Sequence, residues 1–210
     1  MLTLPDVEAT LKQLAHERPV FHSEEDFQRA LDRAIRGSFP RVRVQLEHPL
    51  ALGDRRGYAD LWLRTPAGPV VLELKYWTRE AHVTWEDEQF SLREHSANDL
   101  GRYDFIKDLV RIEHLVDAGH AAAGAVIAIT NDHLYWTRPN RQTNDAAFRL
   151  HDGRRLSGTM AWGPKAGDGT TRGREDALTL RRAYDVAWQP YSTVPGGPYG
   201  EFRYLFLSVE

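Results

Sequence analysis

A chain of 210 residues with 41% apolar and 27% charged residues has the length and composition of one globular domain with a sizeable core. The lack of cysteine excludes disulfides, thiolate metal sites and cysteine nucleophiles, and is compatible with a cytoplasmic location. A net charge of −3 excludes a global polycation, so nucleic-acid binding would need a local basic patch; pairs such as Arg154-Arg155 and Arg181-Arg182 serve either that or plain solvation. No apolar run approaches the ~18 residues of a membrane span. Residues 1–6 lack the basic and apolar regions of a secretion signal, so no membrane partner is expected.

Residues 6–16 carry a helical pattern of Val7, Leu11 and Leu14 that Pro19 stops. A second helix opens on Ser23 as N-cap, with Glu24, Glu25 and Asp26 at the positive end of the dipole. Its stripe is Phe27, Leu31, Ala34 and Ile35, and Gly37 is expected to end it. Val42, Val44 and Leu46 alternate as a half-buried strand. A turn over 52–57, a strand over 58–63, a turn over 66–68 and a strand over 70–77 complete a three-strand meander. Residues 82–85 and 89–92 flank an acidic turn as an inserted hairpin. A long helix follows over 98–116, with Phe105, Leu109, Ile112 and Val116 on one face, then a strand over 123–130 apolar enough to be covered on both faces. Residues 138–174 read as loop, with a mobile glycine-rich stretch over 163–173. Strands over 184–188 and 202–209, joined through Gly196-Gly197, close the chain. This order predicts an α/β sandwich with a mixed sheet.

Chemistry concentrates on the meander. On the strand over 70–77, alternate residues share a face, so Glu73 and Lys75 project together while Leu72, Leu74 and Tyr76 project oppositely. Asp60 lies on the neighbouring strand. Carboxylates and an ammonium on one apolar strand pair are costly unless they bind something, and a divalent metal with a water is the natural occupant. Magnesium takes one or two carboxylates and keeps open positions for phosphate oxygens, a role that suits Asp60 and Glu73. Lys75 can orient or deprotonate a water, or steady a phosphate; its neighbours and its burial pull its pKa in opposite directions. Arg102 shares the apolar stripe of the long helix, and so either snorkels or aims at a phosphate or an active-site carboxylate. Lys107 and Arg111 are expected to point elsewhere, pairing with Asp104 and Asp108. No His-Glu-x-x-His, Gly-x-Ser-x-Gly or Walker loop is present. The tryptophans sit mostly at strand positions, as packing residues or, for one or two, as base-stacking platforms.

The succession helix, strand, strand with Asp60, strand with Glu73-Leu74-Lys75, helix, strand over about residues 21–135 resembles the core of the PD-(D/E)XK, or restriction-endonuclease-like, nuclease superfamily. Asp60 and the Glu-Leu-Lys carry the motif, with Ala59 where the eponymous proline would stand. Residues 98–108 and 202–205 resemble an uncharacterised bacterial branch of it. The resemblance implies a single domain over 1–210: a three-layer sandwich with a mixed central sheet and a β-rich extension over about 136–210. It implies a Mg²⁺-dependent nuclease acting on DNA, with Mn²⁺ able to substitute. Asp60, Glu73 and the Leu74 carbonyl would hold the metal and Lys75 would serve the water or phosphate. An acidic residue on the first core helix often joins the metal in this superfamily. That role maps to Glu24, on the inward stripe; its alternative is a plain dipole-favourable glutamate. Gln28, at the edge of the stripe, can hydrogen-bond a metal-bound water or stand as an ordinary polar flank. Cutting both strands of a duplex would favour a homodimer, and a separate protein partner is left open. The other readings are a non-catalytic nucleic-acid or protein interaction module, and a glycosidase using Asp60 and Glu73. Lys75 speaks against the glycosidase, because a neighbouring cation keeps a general acid ionised.

Overall fold

The computed structural model describes residues 2–52, 55–195 and 197–210. Gly53 and Asp54 of the expected turn and Gly196 of the expected connection lie outside the described residues. Helices α1 (Leu4–Glu17) and α2 (Glu24–Ser38) come first, then strands β1 (Arg43–Leu52), β2 (Arg55–Thr65) and β3 (Gly68–Trp77). A hairpin of β4 (Ala81–Trp85) and β5 (Glu88–Leu92) precedes the long helix α3 (Asn98–Asp117) and strand β6 (Ala123–Thr130). Then follow β7 (Arg155–Met160), the short helix α4 (Asp168–Thr171), β8 (Leu178–Asp185), β9 (Gln189–Thr193) and β10 (Glu201–Val209). No helix among the described residues is long and apolar enough to cross a membrane.

The central sheet has the order β1-β2-β3-β6-β10-β9 and is antiparallel except for the parallel pair β3–β6. On one face Leu72, Leu74, Ile127, Ile129 and Tyr204 pack against α1 and α2 through Leu11, Leu14, Phe27 and Leu31. On the other, Val71, Val126, Ala128 and Leu205 meet Phe105, Leu109 and Ile112 of α3. β6, in the middle, is buried on both faces, as expected of so apolar a strand. The α/β architecture and the mixed sheet are therefore present, with helices on both sides.

Several boundaries differ from expectation. Gly37 does not end α2, which runs to Ser38 and stops where the Phe39 N–H donates to Ile35 O. β1 continues through Pro49, tolerated because β1 is an edge strand. The stretch after residue 136 is more than an appendage: β10 pairs with β6 inside the central sheet and β9 forms its far edge. The strand expected over 184–188 lies earlier, as β8, and pairs with β7 across the region read as loop. β8 is bolted to α3 by Glu113, whose buried carboxylate accepts from the Arg181 and Arg182 N–H groups at 2.8 and 2.9 Å and from the Tyr184 hydroxyl at 2.8 Å. Within the glycine-rich stretch one helical turn, α4, forms, and Trp162 Nε1 donates to Arg174 O at 2.8 Å.

α3 approaches the sheet closely at Gly124 on β6. A Cβ there would meet Ile112 Cγ2 at 2.5 Å and Val71 O at 2.8 Å. Gly124→Ala is expected to cost about 1–3 kcal/mol by overpacking, read as a lower urea midpoint at unchanged slope.

Candidate active site

The site begins with a split in the sheet. The β2–β3 ladder runs from Thr65↔Gly68 to Leu61↔Leu72, while β3 stays paired with β6 through Trp77↔Thr130. Beyond Leu72, the β3 edge facing β2 meets side chains in place of strand carbonyls. The Leu74 N–H donates to Asp60 Oδ2 at 2.6 Å and the Tyr76 N–H to Glu24 Oε2 at 2.9 Å. Buried N–H groups need acceptors, so the splayed ladder fixes both carboxylates. Each strand residue presents its N–H and C=O on the same edge, so the Leu74 carbonyl faces this gap too.

The split coincides with a roll of the β1–β2 pair. Val44, Leu61 and Leu63 pack on the α1/α2 side, but Leu50 and Ala59 pack on the α3 side, with His48 stacked on Trp62 at 4.5 Å. The roll falls at Glu47, whose φ of 47° is left-handed, an uncommon state for a residue other than glycine. Gln28 Nε2 braces the bend, donating to Glu47 Oε1 at 2.7 Å and to the Asp60 carbonyl at 2.9 Å.

Glu73 and Lys75 project towards α3 and enter an alternating chain of charges. Lys75 Nζ lies 2.7 Å from Asp108 Oδ2, Arg111 Nη2 lies 2.9 Å from Asp108 Oδ1, and the same Nη2 lies 2.7 Å from Glu73 Oε2. Asp108 and Arg111 are one turn apart on one face of α3. Glu73 is 2% exposed, and its Oε1 has no hydrogen-bond partner among the described residues. That is an expensive state for a carboxylate oxygen.

Two cavities share this centre. One, about 330 Å³, is lined by Glu24, Gln28, Glu47 and Asp60; the other, about 400 Å³, by Glu24, Asp60, Glu73, Lys75, Asp108 and the exposed Tyr58. Burial raises the Asp60 pKa to about 6 against the pull of the Leu74 N–H and Lys75. Burial also raises Glu24, with Lys75 opposing, and raises Glu73 strongly, helped by Asp108 and opposed by Arg111. For Lys75, burial acts downward, but Asp108 and Glu24 outweigh it and hold the ammonium form. In this form Lys75 is a hydrogen-bond donor carrying positive charge. The acids outnumber the bases here, which favours a cation.

Asp60, Glu73, Lys75 and Glu24 thus converge, with Leu74 contributing backbone and Gln28 acting as a brace. Arg102 does not join them. It is buried elsewhere, with Nη1 2.7 Å from Asp145 Oδ2, Nη2 donating to Leu134 O at 2.9 Å, and its guanidinium over the Tyr135 ring. Arg111, expected to point away, enters the site, and Asp104 pairs with Arg174 at 2.7 Å. Sequence reasoning missed Asp108, Arg111, Glu47 and Tyr58. The i,i+3 charge pair on α3 was a usable signal; a left-handed Glu47 has none.

No three His, Asp or Glu side chains among the described residues form a preformed metal cage. Magnesium needs only one or two carboxylates plus waters, and the unpartnered Glu73 Oε1 beside Asp60 suits that smaller donor set. No protein-family model matches the chain, and no curated protein or solved structure shows significant similarity to it.

Because folding raises the Asp60 pKa from 3.8 to about 6, the folded state binds the proton more tightly than the unfolded one. Stability is therefore lost as pH climbs through that window and stays lost above it. Asp60→Asn mimics the neutral acid and keeps an acceptor for Leu74. Without metal it is expected to be more stable than wild type at pH 7.5 by about 1–3 kcal/mol, the difference vanishing near pH 3.5. Urea unfolding at the two pH values checks this.

Proposed function

We propose that this chain is a metal-dependent nuclease of the restriction-endonuclease-like fold, hydrolysing phosphodiester bonds of DNA. The observation that carries the reading is the buried, unpartnered Glu73 Oε1 beside Asp60 and Lys75, where β2 and β3 part. Asp60, Glu73 and the Leu74 carbonyl would hold Mg²⁺, or Mn²⁺ in its place, with Glu24 alongside. The metal supplies charge neutralisation at the phosphate and an acidified water. The protein's own residues do the positioning. The Leu74 N–H fixes Asp60, and Arg111 fixes Glu73. Lys75, kept as an ammonium by Asp108 and Glu24, donates to phosphate oxygens as negative charge grows there. Hydrolysis joins the water oxygen to phosphorus, breaks one P–O ester bond and leaves a proton on the departing alcohol oxygen.

One observation favours a second reading, a non-catalytic interaction module that keeps the fold. Lys75 and Glu73 both spend polar contacts on α3 residues, Asp108 and Arg111. Incubating the purified chain with single- and double-stranded DNA separates the two. The nuclease reading predicts cleavage that requires Mg²⁺ or Mn²⁺ and falls by ~10²-fold or more in Glu73→Gln and Lys75→Ala. Absence of cleavage of any DNA or RNA with either metal favours the module, and Glu73→Gln cutting as fast as wild type removes the Glu73-centred site as the source of the activity.

A further inference from the structure

A third cavity, chemically opposite to the two at the acidic centre, is formed by the segment that joins β6 to β7. It measures about 580 Å³ and is lined by His133, Leu134, Arg138, Arg141, Thr143 and Arg149. Its cations are in excess. Asp145 serves both Arg102, at 2.7 Å, and Arg149, at 3.1 Å. Arg154, nearby, donates to the Ala146 and Ala147 carbonyls, at 2.7 Å each, and makes no ion pair among the described residues. Arg138 and Arg141 are exposed and make no ion pair among the described residues. Asp152, which faces His151, already has Arg203 3.6 Å away. The crowding shows in the titration of the neighbours. Burial, then Arg154, Arg138 and Arg149, lowers the His151 pKa, and burial with Arg102 lowers Arg149. Arg149 also keeps a buried Nε with no partner among the described residues.

Guanidinium groups gathered around one concavity are the side chains best suited to recognise a phosphate. Its rim argues for more than a bare ion. Among the described residues the large apolar side chains that stand exposed are Tyr58 and Leu134. Tyr58 lines the acidic cavity and Leu134 the basic one. An aromatic pair connects a wall of the acidic cavity to the chain segment that lines the basic one. Trp77 lines the acidic cavity, and its ring lies 4.2 Å from that of Tyr135, the residue after Leu134.

We propose that the basic cavity, with Arg138, Arg141 and Arg149 on its walls and Leu134 at its mouth, binds a phosphate of a DNA strand. The proposal rests on the nuclease reading in one respect: the strand held here would be the one presented to Asp60 and Glu73. Neutralising phosphates makes affinity fall with salt, by a slope of about 0.7–0.9 per contact.

Fluorescence anisotropy of labelled DNA in EDTA, so that no strand is cut, tests it over a range of salt. Arg138→Ala/Arg141→Ala, which alters only exposed side chains, is expected to weaken binding at least ten-fold at 0.1 M salt and to flatten the salt slope by about 1.5. Its melting curve should be unchanged. Equal affinity and slope in wild type and double variant overturn the proposal. So does competition by polyglutamate as strong as by unlabelled DNA, or binding of inorganic phosphate with none of DNA. Cleavage assays with metal separate the two ideas. DNA binding that depends on Arg138 and Arg141 in a protein that never cuts leaves this site standing and removes the nuclease reading. A double variant that cuts and binds like wild type does the reverse.

Discussion

Two backbone N–H groups of β3, those of Leu74 and Tyr76, have carboxylates where an antiparallel sheet would provide carbonyls. Everything at the acidic centre follows from that substitution. β3 remains zipped to β6 on its other edge, so it cannot move to relieve the gap. Asp60 and Glu24 are therefore held by groups that the fold obliges to be satisfied. The cost appears on the acids. Removed from water, they resist ionisation, and the Asp60 pKa climbs to about 6. The sheet positions the carboxylates, and the carboxylates leave the site short of positive charge.

α3 supplies part of that charge and sets the chemistry of Lys75. Its Asp108 and Arg111 interleave with Lys75 and Glu73, so each of these two β3 side chains has one partner of opposite sign. Breaking such a buried chain at one member strands the next. Yet the chain does not close. Glu73 Oε1 is left without a donor among the described residues, and the two cavities that meet at Asp60 provide room for a hydrated cation. The Trp77–Tyr135 stack connects a wall of the acidic centre to the segment that lines the basic cavity, so two oppositely charged concavities belong to one connected part of the fold.

Much of this was legible in the residue pattern, for local reasons. Ser23 with three acids announces α2. The period-two alternation on β3 places Glu73 and Lys75 on one face, and the buried run over 123–130 is β6. What escaped was non-local or carried by few apolar residues. β9 has Tyr191 as its buried apolar residue and a proline beside it, leaving no periodicity to read. β8 does alternate Leu178, Leu180 and Tyr184, but Arg181-Arg182 masks the pattern, and its docking on α3 runs through Glu113, some 70 positions away. Arg102 misled for a related reason. An arginine on an apolar stripe must find an anion, but the stripe does not say which, and the one it finds is Asp145. The roll at Glu47, which aims Asp60, needs a left-handed residue that nothing in its identity foretells.

Calorimetric titration of metal-stripped protein with Mn²⁺ at pH 7.5 addresses the acidic centre most directly, since it reads binding without requiring any substrate. A centre built around an unfilled Glu73 oxygen predicts a saturable site in the wild type that disappears in Glu73→Gln while the fold stays intact. No saturable heat in the wild type, or an affinity left unchanged by Glu73→Gln, would contradict a cation site there.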